Sequence, residues 1–341
     1  MAKRRTSGKL QPVPLILNFE LSNLPDLPTE RSTHYIDISQ CVSGMARKFF
    51  RQGENWAIAG GKVFMPDADP LQNGNAFYIS TIPRTWMASN AWHKVYAAWK
   101  RQQDEALADG DNQSIVAKFR DFKIHADPQH AAAGFNANLL PVNMGPGPSA
   151  IAISTMHSSS GLSQLGEWDP SHLVIPNYGA VGTNYEVLVH AVGDDVGGVG
   201  GSISMIKAYA NSRSVPQSPD PQTPPGVTSN ENFLNLMFDM GDNQEDVIDN
   251  AVEENNDLPY DQFEYPGTHS NLEALENQVI ILNNNTVSQS TYSFGPFQAP
   301  CGLLRLDQVN SSGDPLRKLY LQLYLVPGPN RGYLTQRMQD M

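Results

Sequence analysis

The side chains grouped as if to do chemistry in this chain are cationic. Lys3, Arg4, Arg5 and Lys9 place four positive charges in the first ten residues, with no acid among them. Arg47, Lys48 and Arg51 form a second group that brackets Phe49 and Phe50. Bases interleaved with aromatics suit an anionic polymer, because cations neutralise phosphates while rings stack on unpaired bases. A short basic terminus also serves as a nuclear address. Both groups have plainer readings: a solvated terminus, and solvated bases beside core aromatics.

Patterns that would support catalysis or metal binding are weaker. His125 and His130 flank Asp127, which suits a ligand cluster or proton relay, yet Asp127-Pro128 reads first as a turn. Asp242, Glu245, Asp246 and Asp249 offer hard oxygen ligands for calcium, without the glycine-centred spacing of an EF-hand. Glu167 and Asp169 supply carboxylates for glycoside hydrolysis, and Trp168 and Tyr178 supply loop aromatics for stacking sugars. Gly193–Gly201 is glycine-rich but lacks the Gly-Lys-Ser/Thr ending of a phosphate loop, and it reads as a hairpin connection. Neither a G-x-S-x-G elbow nor an H-E-x-x-H pair occurs. Cys41 and Cys301, the two cysteines, make neither a disulfide framework nor a zinc set. No catalytic residue and no cofactor is expected.

The elements that must position these groups read as strands. Apolar and polar residues alternate in His34–Cys41, Trp56–Met65, Phe77–Thr81, Ala150–Met156, Tyr185–His190, Ser202–Ala210 and, most clearly, Leu319–Leu325. One amphipathic helix interrupts them at about 90–107, where Trp92, Val95, Tyr96 and Trp99 share a face between a Ser89 cap and Gly110. Its plain reading is a helix packed across the end or side of a sheet, and its functional alternative is a nucleotide-stacking platform. Many short strands with Gly/Pro-rich connections and no βαβ rhythm predict an all-β antiparallel sandwich or barrel.

Composition narrows the class further. With 40% hydrophobic residues and 13 Phe, 12 Tyr and 5 Trp among 341, the chain is too apolar to be disordered throughout. It has no apolar run of about 18 residues, so no membrane insertion is expected. No apolar stretch follows the basic start, so synthesis in a reducing compartment is expected and the sequons at Asn112, Asn284 and Asn310 idle. The net charge of −12 is uneven, since residues 214–304 hold 14 of the 35 acids and none of the 23 bases. That region opens with five prolines in Val215–Pro225 and carries capping boxes at Thr228–Glu231 and Ser270–Glu273. Residues 214–276 therefore read as a Pro-rich, acidic, partly helical surface insertion in a body spanning 13–335, behind a disordered arm, 1–12.

Four segments carry a family resemblance: Tyr35–Gly53 with Trp56–Gly60, Ile82–Trp99, Phe119–Ala126 with Ala132–Leu140, and Leu325–Gly332. Together they resemble capsid proteins of small Rep-encoding circular single-stranded DNA viruses. The resemblance implies a single jelly-roll β-sandwich that self-assembles into a small icosahedral shell (T=1, about 60 copies) around circular single-stranded DNA. The basic arm would face the genome, with Arg47, Lys48 and Arg51 as an inner patch. It also implies a virion protein, is compatible with assembly in the host nucleus, and leaves open the host receptor or glycan and any divalent cation at interfaces. The short arm departs from the long Arg-rich arm of many such capsids. The competing expectation is a soluble glycan-binding, lectin-like β-sandwich.

If the four arm charges carry the DNA contact, log K should fall against log salt with a slope of about −3. Deleting residues 2–10 should remove most of that slope in a filter-binding titration and leave empty shells able to form. An unchanged slope would show that the arm is not the contact.

Overall fold

Leu319, Leu321, Leu323 and Leu325 alternate with Tyr320, Gln322 and Tyr324, and the chain forms a strand there with all four leucines buried. The same period of two, which sends successive side chains to opposite faces, builds seven other main strands. The computed structural model describes residues 13–21, 31–65, 75–109, 121–144, 150–152, 168–176, 184–196, 201–213, 250, 276–282, 290–309 and 319–341. In chain order the eight are β1 (Ile16–Leu21), β2 (Arg31–Asp37), β3 (Glu54–Met65), β4 (Asn75–Thr81), β5 (Glu276–Leu282), β6 (Ser290–Phe294), β7 (Leu303–Val309) and β8 (Leu319–Leu325).

These strands pair in a nested order. β1 pairs with β8, β2 with β7, β3 with β6 and β4 with β5, all antiparallel. Antiparallel pairings of β8 with β3 and β7 with β4 then gather them into two sheets, ordered β1-β8-β3-β6 and β5-β4-β7-β2. Short strands Phe297–Ala299 and Thr335–Arg337 also pair with β3. Leu17 lies opposite Leu323 and Phe19 opposite Leu321 in the first sheet; Leu304 lies opposite Ile36 and Leu306 opposite Ile79 in the second. All belong to one buried cluster drawn from both sheets, so the sheets face each other as a sandwich. Burial of each such side chain contributes about 1.5–3 kcal/mol.

The helices fall where local hydrogen bonding overrides the alternation. The strand predicted through Cys41 stops at Asp37, whose carboxylate accepts from Gln40 N and caps α1 (Ile38–Ala46). Ile36 and Ile38 are still both buried, which is why the alternation looked continuous. Ser202–Ala210 likewise becomes a three-residue strand, Ser202–Ser204, followed by a helix, because the Ser204 hydroxyl accepts from Lys207 N. The aromatic-striped helix, α2 (Trp86–Asp109), starts four residues earlier than predicted, with Thr85 Oγ1 accepting from Ala88 N. Ser89, read as its cap, lies inside it and donates to Met338 O at 2.6 Å.

Residues 82–275 all lie between β4 and β5, so the insertion is far larger than its acidic part. Its described portion has its own core, in which α2, the sheet formed by His172–Pro176, Asn184–His190 and Ser202–Ser204, and the Met205–Arg213 helix pack together with Tyr35 and Leu303. Asn184–His190 and Ser202–Ser204 run parallel, which corrects the hairpin expected for Gly193–Gly201. A parallel neighbour cannot be reached through a tight two-residue turn. Gly193 does take a positive φ of 107°, and a Cβ there would meet Pro128 at 2.8 Å. Residues 214–249 and 251–275, with their capping boxes, lie outside the described residues.

The insertion docks on the second sheet through a buried polar seam. Arg305, on the β7 face away from Leu304 and Leu306, pairs with Asp307 (2.9 Å) and with Asp127 (2.5 Å) of the insertion. Tyr35 OH donates to Asp127 Oδ1 at 2.7 Å, and Gln129 Oε1 accepts from Arg305 Nη2. Asp127 also caps a short helix, α3 (Pro128–Ala133), by accepting from His130 N. His130 stacks on Tyr35; its Nδ1 accepts from Ala126 N, so Nε2 donates to Asn138 Oδ1. Burial holds His125 and His190 down to about 4 and His130 to about 3. Burial acts the other way on Asp37, raising it to about 6 although Gln52 Nε2, Gln40 N and Trp168 Nε1 all donate to it.

These shifts set an acid limb for stability. The unfolded chain protonates its histidines near 6.5, while the folded protein refuses those three protons until about 3–4, so falling pH favours unfolding. Asp37 opposes this, since the folded state takes its proton at about 6 and the unfolded state only near 3.8. The net is two protons, or about 3 kcal/mol lost per pH unit between about pH 6 and 4. Urea midpoints measured at pH 7, 6 and 5 should fall progressively; equal midpoints would contradict the buried, neutral state of the three histidines.

Candidate nucleic-acid interface

The second basic group of the sequence is delivered by the end of α1. Arg47 closes that helix in the left-handed conformation at φ 49°, where a residue with a side chain is uncommon. The chain then turns through Lys48, Phe49, Phe50 and Arg51 into β3. Ser43 pins this turn, its hydroxyl accepting from Phe50 N at 2.9 Å. Phe50 is buried against Trp56 and Tyr333. Its burial leaves Lys48 half-buried and Arg51 exposed at the surface on either side.

The C-terminal segment brings two other cations to the same place. After β8 the chain makes a small hairpin, Pro327–Gly328 against Gly332–Tyr333, with Arg331 near its tip at φ 52°. Arg331 Nη1 donates to Phe49 O at 2.6 Å, and its guanidinium carbon lies 5.9 Å from the Phe50 ring centre. Thr335–Arg337 then pairs with β3, setting Arg337 opposite Glu54. The Thr335 hydroxyl donates to Glu54 Oε2 at 2.8 Å and accepts from Asn330 Nδ2. Tyr333 OH, donating to Pro14 O, anchors the hairpin to the segment before β1.

The opposite wall comes from the insertion. Trp92 and Tyr96 of α2 stack face to face at 4.9 Å and 7° between planes. Gly53 permits their approach, since a Cβ there would fall 2.4 Å from the Trp92 ring. Asp121 accepts from Gln52 N at 3.1 Å; burial raises its pKa against the pull of that bond, Lys123 and Arg51. Between the walls lies a cleft of about 740 Å³ lined by Lys48, Arg51, Arg331 and Arg337 on the cationic side, Glu54 and Asp121 on the anionic side, and the rings of Phe49, Phe50, Trp92 and Tyr96. Cations outnumber carboxylates two to one, and the half-buried Phe49 and Tyr96 lie beside them. That combination suits a phosphate with an attached base.

The structure thus brings Lys48 and Arg51 of the sequence-derived candidates into one cleft. Arg47 is exposed at the end of α1 but does not line it. Lys3, Arg4, Arg5 and Lys9 lie outside the described residues. Sequence reasoning missed Arg331 and Arg337 as site residues, and it weighed the Trp92 and Tyr96 stripe as a nucleotide-stacking platform only as the lesser alternative to a packed helix. The signal for Arg331 was the Pro-Gly-Pro-Asn run before it, which read as the end of the last strand and as part of the family resemblance, not as a site.

Other candidates are placed elsewhere. Trp168, proposed as an exposed sugar platform, is 8% exposed; its Nε1 donates to Asp37 Oδ2 at 2.9 Å, and Lys123 Nζ sits 4.8 Å from its ring centre. A ring committed on its edge and beside a cation in the interior is not a free stacking face. Asp169 is exposed, whereas Glu167, Tyr178, Asp242, Glu245, Asp246 and Asp249 lie outside the described residues. His125 and His130 belong to the buried seam. Among the described residues no three His, Cys, Asp or Glu side chains are grouped to hold a metal ion. Cys41 and Cys301 are buried free thiols, and no described helix is long and apolar enough to cross a membrane. The chain matches no protein-family model, no curated protein and no solved structure.

Proposed function

We propose that this chain is the capsid protein of a small circular single-stranded DNA virus, a jelly roll whose copies close into an icosahedral shell around the genome. One observation carries the reading: the nested pairing of eight strands. A double-stranded ribbon in which strand 1 pairs with 8, 2 with 7, 3 with 6 and 4 with 5 can be rolled so that successive pairs alternate between two layers. The layers then read 1-8-3-6 and 2-7-4-5, which are the orders found here from opposite edges. Eight strands in two sheets with this wrapping support the jelly-roll reading, an architecture shared by viral capsid and lectin domains. The interior position of Trp168 removes an argument for the lectin use, and the cationic, aromatic-walled cleft favours nucleic acid.

The physics suits a container. A jelly roll buries its core between its own sheets and leaves loops free to meet neighbours. Closed symmetry ends growth, and several weak contacts per copy hold each subunit. With about 60 copies, the four arm charges bring about 240 positive charges against a genome of roughly a thousand or more phosphates. The four cleft cations double that figure, which compensates in part for the short arm. On this reading, repulsion from phosphate would keep the acidic stretch within 214–304 away from the genome. Virion localisation, nuclear assembly guided by Lys3-Arg4-Arg5, and a cation at subunit interfaces belong to the same reading.

Sedimentation velocity of the full chain, with negative-stain microscopy of the fast fraction, tests it. About 60 copies of a 37.5 kDa chain form a discrete particle of roughly 2 MDa. A protein that stays a monomer or small oligomer across concentration, salt and pH 6–8 would overturn the proposal, and binding of that small species to a glycan array would favour the lectin reading instead.

A further inference from the structure

We propose that the cleft between the Arg331 hairpin and α2 is a built site for one unpaired nucleotide, its phosphodiester held by Arg331 and Arg337 and its base set against Tyr96. This deepens the single-stranded DNA reading and rests on it for the identity of the polymer.

The cationic wall is assembled, not incidental. Two of the three non-glycine residues with positive φ among the described residues are Arg47 and Arg331, one at each approach to the cleft. Sparsely populated backbone conformations cluster at ligand clamps, where the surrounding structure enforces them. The clamp here is visible: Phe49 O accepts from the Arg331 guanidinium, Asn330 is tied to Thr335, and Tyr333 is bonded to Pro14. Arginine presents several N–H donors in a rigid fork, so one bond to Phe49 O orients the group for a phosphate oxygen. The two carboxylates of the cleft do not cancel these charges. Four cations stand against Glu54 and Asp121, so the cleft keeps a net positive charge.

The opposite wall adds what a bare anion site would not need. Tyr96 is half-buried in the cleft wall with the buried Trp92 ring stacked behind it, and every base has a face that can stack on an aromatic ring. A paired base has its faces covered within the duplex, so the cleft selects single strands. Its volume, about 740 Å³, lies in the range of small-ligand pockets. The stack is rigid, since Trp92 and Tyr96 both pack edge-on to Phe122.

Fluorescence anisotropy with the full chain tests the site, using three labelled probes: an oligo-dT, an abasic oligonucleotide of equal length, and a duplex. The double variant Arg331→Gln with Arg337→Gln should weaken oligo-dT and abasic binding alike, by about 10-fold. It should also make the log K against log salt slope shallower by about 1.4, at roughly 0.7 per phosphate contact. Tyr96→Leu should weaken oligo-dT binding by about 5-fold or more and leave the slope and the abasic probe unchanged; Tyr96→Phe, which keeps the ring, should bind as wild type. Equal dT and abasic affinities, with Tyr96→Leu silent, would overturn the base contact. An unchanged slope in the double variant would overturn the phosphate contact. Duplex binding equal to single-strand binding would overturn the selectivity. Shells that form while the variants bind normally would sink this site and leave the capsid reading intact; cleft-dependent binding by a chain that never forms shells would do the reverse.

Discussion

Arg305 is 1% exposed, yet it lies on the face of the second sheet that points away from the sandwich core. A guanidinium so far from water is tolerable only if it is neutralised where it sits. Asp307 does this from the same strand and Asp127 from the insertion, while Arg31 returns a second positive charge to Asp307. Burial would raise Asp307, but its bonds from Arg31 and Arg305 hold it below the usual carboxylate range. Lifting the insertion would therefore expose Arg305 and Tyr35 and leave Asp127 without its cation. This coupling makes the described part of the insertion part of the body even though the insertion interrupts it between two neighbouring strands. It also fixes α2, and through α2 the aromatic wall of the cleft.

Nested strand pairing explains why the chain tolerates so long an interruption. β4 and β5 are the innermost pair of the ribbon, so the segment joining them leaves the sandwich at one end. Anything placed there grows outward without breaking another pairing. The first sheet, by contrast, is completed by two short strands from the C-terminal part of the chain, Phe297–Ala299 and Thr335–Arg337, both along β3. One end of β3 thus collects the α1 turn, the C-terminal hairpin and Gly53 under α2. The cleft is the place where sandwich, insertion and C-terminus meet, and the proposed shell would use that junction to face its cargo.

How much of this was legible follows from what periodicity can see. Leu319–Leu325 was plain because one of its faces is wholly apolar and the other is not. β7 was invisible, because Arg305 and Asp307 are buried on the face that alternation assigns to solvent, and only the insertion explains their presence. At α1 the two signals conflicted: Ile36 and Ile38 kept the strand pattern, while Asp37 supplied a cap that the pattern ignored. The stripe of Trp92 and Trp99 was read correctly as packed, and both are buried. The cleft was half legible. Lys48 and Arg51 are neighbours in sequence, but their partners Arg331 and Arg337 arrive through long-range strand pairing, which no local spacing records.

The central claim is that this sandwich is a wall unit with its basic cleft turned inward. A cryo-electron microscopy reconstruction of particles assembled from the full chain with circular single-stranded DNA tests it most directly. The account expects a closed icosahedral shell with Arg331 and Arg337 on the luminal surface and residues of the acidic insertion outside. A closed shell with the cleft facing the solvent, or no closed shell at all, would contradict it.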